Sequence, residues 1–277
     1  MGRGIPKILH QTHSRRDLPG PIVRNMIRIR DQNPGWSHRF YDEGERAAYI
    51  HENYGDEVLS YYLRISKDYG AARADLFRYL VLYREGGAYL DVKSGASRPF
   101  DEVLWVQDSY LLSHWKNGPN SPFRNWGIHP ELADMKRGEF QQWFIVTTPG
   151  HPFLKSVIEH VLSNIDRYVP GIHRTGAHAV FRVTGPIAYS LAILPLLDLY
   201  PHRMVDAEDD LGLSYSIFGT QGDAQEHKAV FRSHYAELES SLIEVGTPKR
   251  AVFAAYRSAK KIYKTVSERI QGQMQQH

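Results

Sequence analysis

The chain has 277 residues, of which 42% are hydrophobic and 23% charged, so it is long enough for one large α/β domain with or without an appendage. It contains no cysteine, which excludes disulfide bonds, thiolate metal ligands and a cysteine nucleophile. The net charge is only +3, and this small excess gives no general electrostatic case for nucleic-acid binding.

Strands and helices alternate in the first third of the chain. "IPKILHQT" is apolar and β-branched and predicts a first strand, and "PIVRNMIRIRDQNPGW" predicts an amphipathic helix that stops at its Asn-Pro-Gly turn. "SHRFYD" predicts a second strand, and residues 43–66 hold one or two helices with a break near Gly55. "GAARADLFRYLVLYREGG" predicts a closely packed helix that ends at Gly86-Gly87, and "AYLD" predicts a third strand. This order predicts a mostly parallel sheet with helices on both faces.

The second half of the chain is less regular. "SYLLSHW" and "QQWFIVTT" predict strands, "HPFLKSVIEHVLSNIDRY" predicts a helix entered through Pro152, and "TGPIAYSLAILPLL" predicts another helix. The sequence shows neither an internal repeat nor a low-complexity linker, so we expect one domain over residues 1–247. Residues 248–277 have a basic helical pattern and are expected to form an appendage.

Asp91 is the first candidate for chemistry, because it follows a strand that a glycine pair introduces. Ligands of α/β sheets bind outside the carboxyl ends of the strands. Residues i and i+2 of an extended segment point the same way, so Asp91 and Lys93 are expected to share one face. Asp-x-Asp at this place would hold Mg²⁺ or Mn²⁺ on a diphosphate, and here the second carboxylate is replaced by an ammonium. A surface salt bridge between the two residues is the alternative.

Asp75 and Arg78 form the second candidate pair. They are three residues apart on a predicted helix and are therefore neighbours on one face. A carboxylate and a guanidinium held together can bind sugar hydroxyls through paired hydrogen bonds, with the arginine close to phosphate. The alternative is a helix-surface ion pair that contributes little to stability.

The block "AARADLFRYLVLYREGGAYLDVKS" resembles the donor-sugar-binding region of glycosyltransferase family 32, which includes fungal α-1,6-mannosyltransferases and bacterial and viral capsule-type transferases. "IPKILHQTH" is similar to the family's opening strand, and "VTGPIAYS" is similar to its later Thr-Gly-Pro helix start. "FRSHYAE" lies where the family has a histidine-containing stretch. The similarity is spread over blocks from residue 5 to about residue 235.

The resemblance implies a GT-A-type fold for nucleotide-diphospho-sugar transfer. It also implies that a hexose is moved from a UDP- or GDP-linked donor to a glycan or lipid-linked saccharide, with retention of anomeric configuration. The implied donor-binding residues are His10, Gln11, Thr12, Arg73, Asp75, Arg78 and Asp91. The implied catalytic residues are Asp75, Arg78, Asp91 and Lys93. The implied metal ligands are Asp91 and His234, for Mn²⁺ or Mg²⁺.

Two positions depart from the family pattern. His13 replaces the usual Trp, which affects the stacking surface for the base, and Lys93 replaces the second Asp, which affects the metal. In one outcome Asp91 and His234 still hold Mn²⁺ through the diphosphate, more weakly, while Lys93 turns aside or pairs with Asp91. In the other outcome Lys93 contacts the diphosphate and neutralises the charge of the leaving group.

The acceptor side of the site has weaker candidates. The polar residues Asn125, Glu139, Gln141 and Gln142 lie in "RNWG" and "RGEFQQWF". Trp126, with Trp115 and Phe123, lies in a loop rich in Pro, Gly and Asn. Aromatic rings in such a loop stack on sugar rings or pack the loop, and both interpretations stay open.

The basic C-terminal pattern also has two interpretations. Its helix either packs its apolar side on the domain or lies on an anionic membrane through residues 248–270. "MGRGIPKILHQ" lacks the apolar segment of a signal peptide, and "IAYSLAILPLLDLY" is too short to span a bilayer. We expect a cytoplasmic protein of the bacterial or viral type, without a Golgi anchor.

Retaining transfer does not require a conspicuous catalytic base, because the leaving phosphate can accept the proton of the acceptor. The sequence therefore favours a glycosyltransferase that works by positioning and charge stabilisation. The alternative from another class is a non-catalytic nucleotide-sugar or glycan-binding protein with a degenerate metal site. A dinucleotide-binding oxidoreductase is disfavoured, because no Gly-x-Gly-x-x-Gly follows the first strand.

Overall fold

A computed structural model describes residues 4–218 and 238–244 of the chain. The strands in these ranges are β1 (Ile8–Thr12), β2 (Ser37–Tyr41), β3 (Gly87–Leu90), β4 (Gly95–Ala96), β5 (Tyr110–Leu112), β6 (Phe144–Thr147), β7 (Arg203–Met204) and β8 (Leu213–Ser214). The helices are α1 (Gly20–Gln32), α2 (Glu43–Arg64), α3 (Gly70–Glu85), α4 (Phe100–Val103), α5 (Pro152–Arg167), α6 (Pro170–His173), α7 (Gly176–Val183) and α8 (Pro186–Ile193). Two 3₁₀ turns cover Pro130–Leu132 and Leu194–Leu199.

The central sheet has six strands in the order β2-β1-β3-β6-β5-β7. β1 pairs in parallel with β2 and β3, β5 pairs in parallel with β7, and β6 is antiparallel to both of its neighbours. β4 and β8 form a separate antiparallel pair. The prediction of a mostly parallel α/β sheet is confirmed, with β6 as the reversed strand.

Helices cover both faces of this sheet, as predicted. Successive side chains of a strand point to opposite faces. Leu90 of β3 therefore packs in a core with Ile29 of α1, whereas Tyr89 packs in a larger core with Leu76 of α3 and Val157 of α5.

The Gly86-Gly87 turn joins α3 to β3 in very little space. Both glycines have positive φ, at 67° and 96°, which favours a residue without Cβ. A Cβ at Gly87 would lie 2.4 Å from the carbonyl oxygen of Ile8, and one at Gly86 would lie 2.7 Å from the ring of Pro149. The turn therefore fixes where β3 begins against β1, and β3 then leads to Asp91, the residue that follows it.

Other predicted elements differ from the structure in detail. The break predicted inside residues 43–66 is a kink in α2 at Gly55, where φ is 74°. The strands predicted at "SYLLSHW" and "QQWFIVTT" are shorter than expected and form β5 and β6. Outside these two strands the segments pair only through one isolated bridge, between His114 and Phe140.

The segment Gly176–Leu196 has a mean hydropathy of 1.4 and is long and apolar enough to cross a membrane by composition alone. In this fold it is α7, α8 and a 3₁₀ turn, and 67% of its most apolar window is buried inside the domain. Core helices of a domain commonly show this pattern.

The predicted domain boundary at residue 247 lies outside the described residues, as does the appendage over 248–277. The last described segment packs on the domain. Leu242 and Ile243 are buried in the larger core, and Ile243 forms an isolated antiparallel bridge with Ile65.

Candidate functional site

The candidate site lies where β3 ends, at the carboxyl edge of the parallel strands. The backbone N–H of Asp91 donates to the carbonyl of Trp143 at 2.9 Å, which ties this strand end to the segment before β6. The ends of the chain segments around α3, β3 and β6 therefore meet at one edge of the sheet. This is the edge at which α/β proteins bind ligands.

Arg78 lies between two carboxylates and links them. Its Nη2 is 3.3 Å from Oδ1 of Asp75 and 3.1 Å from Oδ1 of Asp91. Its guanidinium carbon lies 4.5 Å from the centre of the Tyr89 ring, and the Tyr89 hydroxyl donates to Oδ1 of Asp91 at 3.0 Å. The sequence prediction that Asp75, Arg78 and Asp91 lie together is what the structure shows, and we call these three residues the carboxylate–arginine cluster.

Two residues distant in sequence hold Asp75 in place. Gln142 donates from Nε2 to Oδ1 of Asp75 at 3.1 Å, and Thr184 donates from Oγ1 to Oδ2 at 2.9 Å. Nη1 of Arg78 donates to the backbone carbonyl of Gln142 at 2.6 Å and to its Oε1 at 2.7 Å. Asp75 and Arg78 are thus positioned by α3, by the segment before β6 and by the Thr-Gly-Pro turn before α8.

Burial shifts the titration of this cluster. It raises the pKa of Asp75, while Arg78 and the hydrogen bonds from Gln142 and Thr184 counteract the rise. Burial on its own would lower the pKa of Arg78, but Tyr89, Asp91 and Asp75 outweigh it and raise that pKa above its ordinary value. Arg78 therefore stays charged at any pH of interest and provides a fixed cation at the end of β3.

Asp91 is the member of the cluster that reaches solvent. Its side chain is 22% exposed, compared with 3% for Asp75 and 5% for Arg78. A ligand can therefore contact Asp91 directly, and Asp75 and Arg78 orient it from behind.

Lys93 does not share a face with Asp91, and that expectation from strand alternation is wrong. The chain leaves the strand at Leu90 and turns, with the N–H of Ser94 donating to the carbonyl of Asp91 at 2.9 Å. In this turn the alternation of an extended strand no longer applies. Nζ of Lys93 instead donates to the Tyr215 hydroxyl at 2.7 Å and lies 3.9 Å from the centre of that ring. The structure thus shows neither the predicted surface salt bridge nor a second metal ligand at this position.

His10, Gln11 and Thr12 lie at the end of β1, as predicted, and all three are buried. Nε2 of His10 donates to the carbonyl of Gly86 at 3.1 Å, so Nδ1 accepts from the Tyr41 hydroxyl at 3.2 Å. Gln11 donates to the carbonyl of Leu90 at 3.3 Å, and Thr12 donates to the carbonyl of Tyr41 at 2.6 Å. These side chains hold the strands around the site, and their contact with a nucleotide stays a prediction.

Arg73 points away from the carboxylate–arginine cluster. It donates from Nε and Nη2 to the carbonyl of Ile65 at 2.9 and 2.7 Å, and from Nη1 to Glu43 at 2.5 Å. These bonds tie α3 to α2. Its predicted role in donor binding is untested.

Arg46 is a buried residue that no sequence pattern identified. Its side chain is buried, and Nε and Nη2 have no hydrogen-bond partner in the part of the chain that the structure describes. Burial is the main cause of the lowered pKa of His13, and the charges of Arg15 and Arg46 lower it further against a backbone hydrogen bond that raises it. Arg46 therefore lies near the end of β1. No sequence pattern reveals a buried charge of this kind, because burial depends on tertiary packing.

The acceptor candidates separate into two places. Gln142 belongs to the carboxylate–arginine cluster, as its contacts show. Asn125 is exposed with a φ of 63°, and Trp126 is 43% exposed and packs on Trp115 at 5.1 Å between ring centres. Gln141 lines a small recess together with Trp115 and Phe123.

Glu139 is occupied within the protein. It accepts a hydrogen bond from Nε1 of Trp115 at 2.8 Å, and its other carboxylate oxygen lies 2.7 Å from Nε2 of His129. Glu139 therefore holds in place the loop that carries Trp115 and His129.

The described residues do not by themselves make a metal site. Among residues 4–218 and 238–244, no group of three or more His, Asp or Glu could hold a metal ion. Asp75 and Asp91 are both paired with Arg78, which competes for their oxygens. His234, the second predicted metal ligand, lies outside the described residues.

Residues 22–110 match the family described as "Glycosyltransferase sugar-binding region containing DXD motif". The matched region contains Asp75, Arg78 and Asp91, so the whole carboxylate–arginine cluster lies within the part of the chain that is similar to the family. The predicted resemblance to glycosyltransferase family 32 is confirmed.

Two curated relatives come from Schizosaccharomyces pombe. The "Initiation-specific alpha-1,6-mannosyltransferase" is 26% identical over 207 residues, which cover 70% of this chain and 49% of the relative. "Inositol phosphoceramide mannosyltransferase 1" is 27% identical over 206 residues, which cover 73% of this chain and 54% of the relative. The chain therefore spans about half the length of the curated relatives it matches.

A solved structure described as "PaToxG Glycosyltransferase" superimposes with a TM-score of 0.51 at 14% identity. The superposition covers 90% of this chain and 83% of that chain. This likeness concerns the fold alone, and it confirms the predicted GT-A-type fold.

Proposed function

We propose that this chain, whose fold and sugar-binding region are those of a family 32-like glycosyltransferase, moves a hexose from a nucleotide-diphosphate sugar to a glycan or lipid-linked saccharide. The observation that carries the proposal is the placement of Arg78 between Asp75 and Asp91 at the end of β3. A buried charged network of this kind contributes little net stability, so binding a polar ligand is a reason to keep it.

The sugar and nucleotide are the next part of the proposal. The two curated relatives are mannosyltransferases by name, which supports mannose as the first hexose to test. GDP-mannose is therefore the first donor, and UDP-galactose, UDP-N-acetylglucosamine and UDP-glucose complete the panel. Donor preference would follow from the shape and hydrogen bonding of the pocket around the carboxylate–arginine cluster.

In the proposed mechanism the cluster positions the donor hexose. Asp91 accepts hydrogen bonds from donor hydroxyls, and Arg78, held charged by its surroundings, stabilises negative charge on the departing phosphate. Asp75 keeps Arg78 in position through their contact at 3.3 Å. The leaving phosphate accepts the proton of the acceptor hydroxyl on the same face, so the configuration at the anomeric carbon is retained.

Lys93 supplies a second cation in this proposal. Its Nζ is fixed by the hydroxyl and ring of Tyr215, close to the turn that follows Asp91. A divalent ion would supply further neutralisation of the diphosphate, and its proposed protein ligands are Asp91 and His234. Dependence on Mn²⁺ or Mg²⁺ is a proposal that the assay below tests.

A second candidate function is a nucleotide-sugar or glycan-binding protein without turnover. The observation that favours it is the pairing of both cluster carboxylates with Arg78, together with a lysine at the second metal position. We also propose that residues 248–270, which lie outside the described residues, contact a membrane. A cytoplasmic location is a further proposal.

The test is nucleotide release from the four donors, each with Mn²⁺ and with EDTA. We expect turnover of at least one donor, and Asp91→Ala and Asp75→Ala should abolish most of it. Turnover that needs Mn²⁺ would support a metal ion bound at Asp91. Turnover that survives EDTA would support neutralisation of the diphosphate by Lys93 instead of a metal ion. Nucleotide binding without release from any donor would favour the binding protein. Transfer at the wild-type rate in both Asp variants would contradict the proposed site.

A further inference from the structure

A small recess lies beside the turn that carries Lys93. Its volume is about 10 Å³, which is room for one water molecule or one hydroxyl group. We call it the aromatic recess and define it by Trp115, Phe123, Gln141, Trp143 and Tyr215, which line it. Its lining joins the loop before residue 128, the segment before β6 and the segment after β8. Charged side chains complete the lining, with Lys116 paired to Asp206 at 3.2 Å.

Two residues that line the recess, Gln141 and Trp143, each carry a buried polar atom without a hydrogen-bond partner in the described part of the chain. Oε1 of Gln141 and Nε1 of Trp143 are unpaired within residues 4–218 and 238–244, and their residues are only 6% and 5% exposed. Buried polar groups in folded proteins are paired as a rule, so two unpaired atoms around one recess need an explanation. One atom accepts a hydrogen bond and the other donates one. A single hydroxyl group can satisfy both, because it donates and accepts.

The recess and the carboxylate–arginine cluster share one chain segment. Gln142 extends into that cluster, and its neighbours Gln141 and Trp143 line the recess, as alternation along an extended segment predicts. The carbonyl of Trp143 accepts the hydrogen bond from the N–H of Asp91 at 2.9 Å. One short segment thus supplies side chains to both places.

Aromatic rings form the wall of the recess. The Tyr215 ring lies 5.1 Å from Trp115, 5.8 Å from Trp143 and 5.8 Å from Trp126, measured between ring centres. Trp126 is 43% exposed, so this wall continues to the surface. Aromatic faces pack on the apolar C–H faces of sugar rings, and a hydroxyl of the same ring can then enter the recess.

We propose that the aromatic recess binds one hydroxyl group of the acceptor saccharide. The hydroxyl donates to Oε1 of Gln141 and accepts from Nε1 of Trp143, while the sugar ring packs on the aromatic wall at Trp126. The identification of the ligand as an acceptor saccharide rests on the proposed function. Gln142 extends into the donor-binding cluster, whereas its neighbours Gln141 and Trp143 line the recess.

The test measures saccharide binding without any donor. Methyl mannoside, methyl glucoside and methyl galactoside are titrated into the full chain, and dissociation constants are taken from saturation-transfer NMR. Trp143→Phe removes the N–H and keeps an aromatic ring, and Gln141→Met removes the acceptor at similar size. Trp105→Phe, at a surface tryptophan that is 54% exposed, is the matched control.

We expect at least one glycoside to bind, and each recess variant to weaken it about tenfold, as the loss of one hydrogen bond predicts. The control should bind like the wild type. A deoxy glycoside that lacks the bound hydroxyl should bind the wild type more weakly than its parent does. In Trp143→Phe this difference should be smaller, because only the hydrogen bond to Gln141 remains. If Gln141→Met fails to fold, the Trp143→Phe comparison alone decides.

Two results would overturn the inference. Either no glycoside binds, or the recess variants bind as the wild type does while their thermal unfolding shifts, which would identify the recess as a site for a trapped water. Nucleotide release separates this outcome from the proposed transferase. Glycoside binding as expected without release from any donor refutes the transferase and keeps the recess, and release without glycoside binding refutes the recess alone.

Discussion

His10 gives a quantitative prediction on the pH dependence of stability. Burial lowers its pKa from 6.5 to about 3, against a backbone hydrogen bond to Gly86 that raises it. The folded protein therefore holds His10 neutral, whereas the unfolded chain protonates it below pH 6.5. Between these two values the unfolded state binds more protons, so His10 lowers stability as the pH falls through this window.

The magnitude follows from proton linkage. Between about pH 7 and about pH 5 the shift of His10 reduces the free energy of unfolding by about 2 kcal/mol. His10→Gln removes the titrating group, so its free energy of unfolding should fall by about 2 kcal/mol less than that of the wild type over the same interval. Other buried histidines, such as His151 with a pKa lowered to about 4, affect both proteins equally.

Urea unfolding at both pH values measures this difference, and His178→Gln, at an exposed histidine on α7, is the control. Equal pH dependence in His10→Gln and the wild type would refute the neutral, buried state of His10.

Three further substitutions test the region around the site. Gly87→Ala should lower the free energy of unfolding, measured in urea, by at least about 2 kcal/mol. The added Cβ would lie 2.4 Å from the carbonyl oxygen of Ile8, at a residue with positive φ. Unchanged stability would contradict the tight turn. Lys93→Met should reduce the rate of nucleotide release about tenfold or more, since it removes a cation fixed by Tyr215, and an unchanged rate would show that this charge has no part in transfer. Arg46→Met should raise the midpoint of thermal unfolding, because it replaces a buried guanidinium whose Nε and Nη2 have no partner among residues 4–218 and 238–244. A lower midpoint would reveal a stabilising contact of Arg46.

The sequence was most informative where local rules decide the structure. Small residues on α3, the glycine pair and the short strand after it predicted a helix, a tight turn and a carboxylate at a strand end. The i, i+3 spacing of Asp75 and Arg78 predicted their contact. For these reasons the Asp75–Arg78 pair and the position of Asp91 were predictable from local sequence. The contact between Arg78 and Asp91 was not, because it joins a helix to a strand end.

The remainder of the site depends on contacts between distant segments. Gln142 and Thr184 reach Asp75 from 67 and 109 residues away, and Tyr215 reaches Lys93 from 122 residues away. No local pattern specifies such contacts. The error at Lys93 had a local cause, since the strand ends one residue before Asp91 and the following turn changes the direction of the side chain.

The most direct measurement compares nucleotide release by the wild type, Asp75→Asn and Asp68→Asn with the donor that the wild type prefers. Asp75→Asn keeps the size of the side chain and removes the charge that positions Arg78, whereas Asp68 is exposed just before α3. We expect Asp75→Asn to release nucleotide about 100-fold more slowly, as the loss of a preorganised charged contact predicts, and Asp68→Asn to match the wild type. Equal rates in all three proteins would contradict the assignment of the carboxylate–arginine cluster as the donor site.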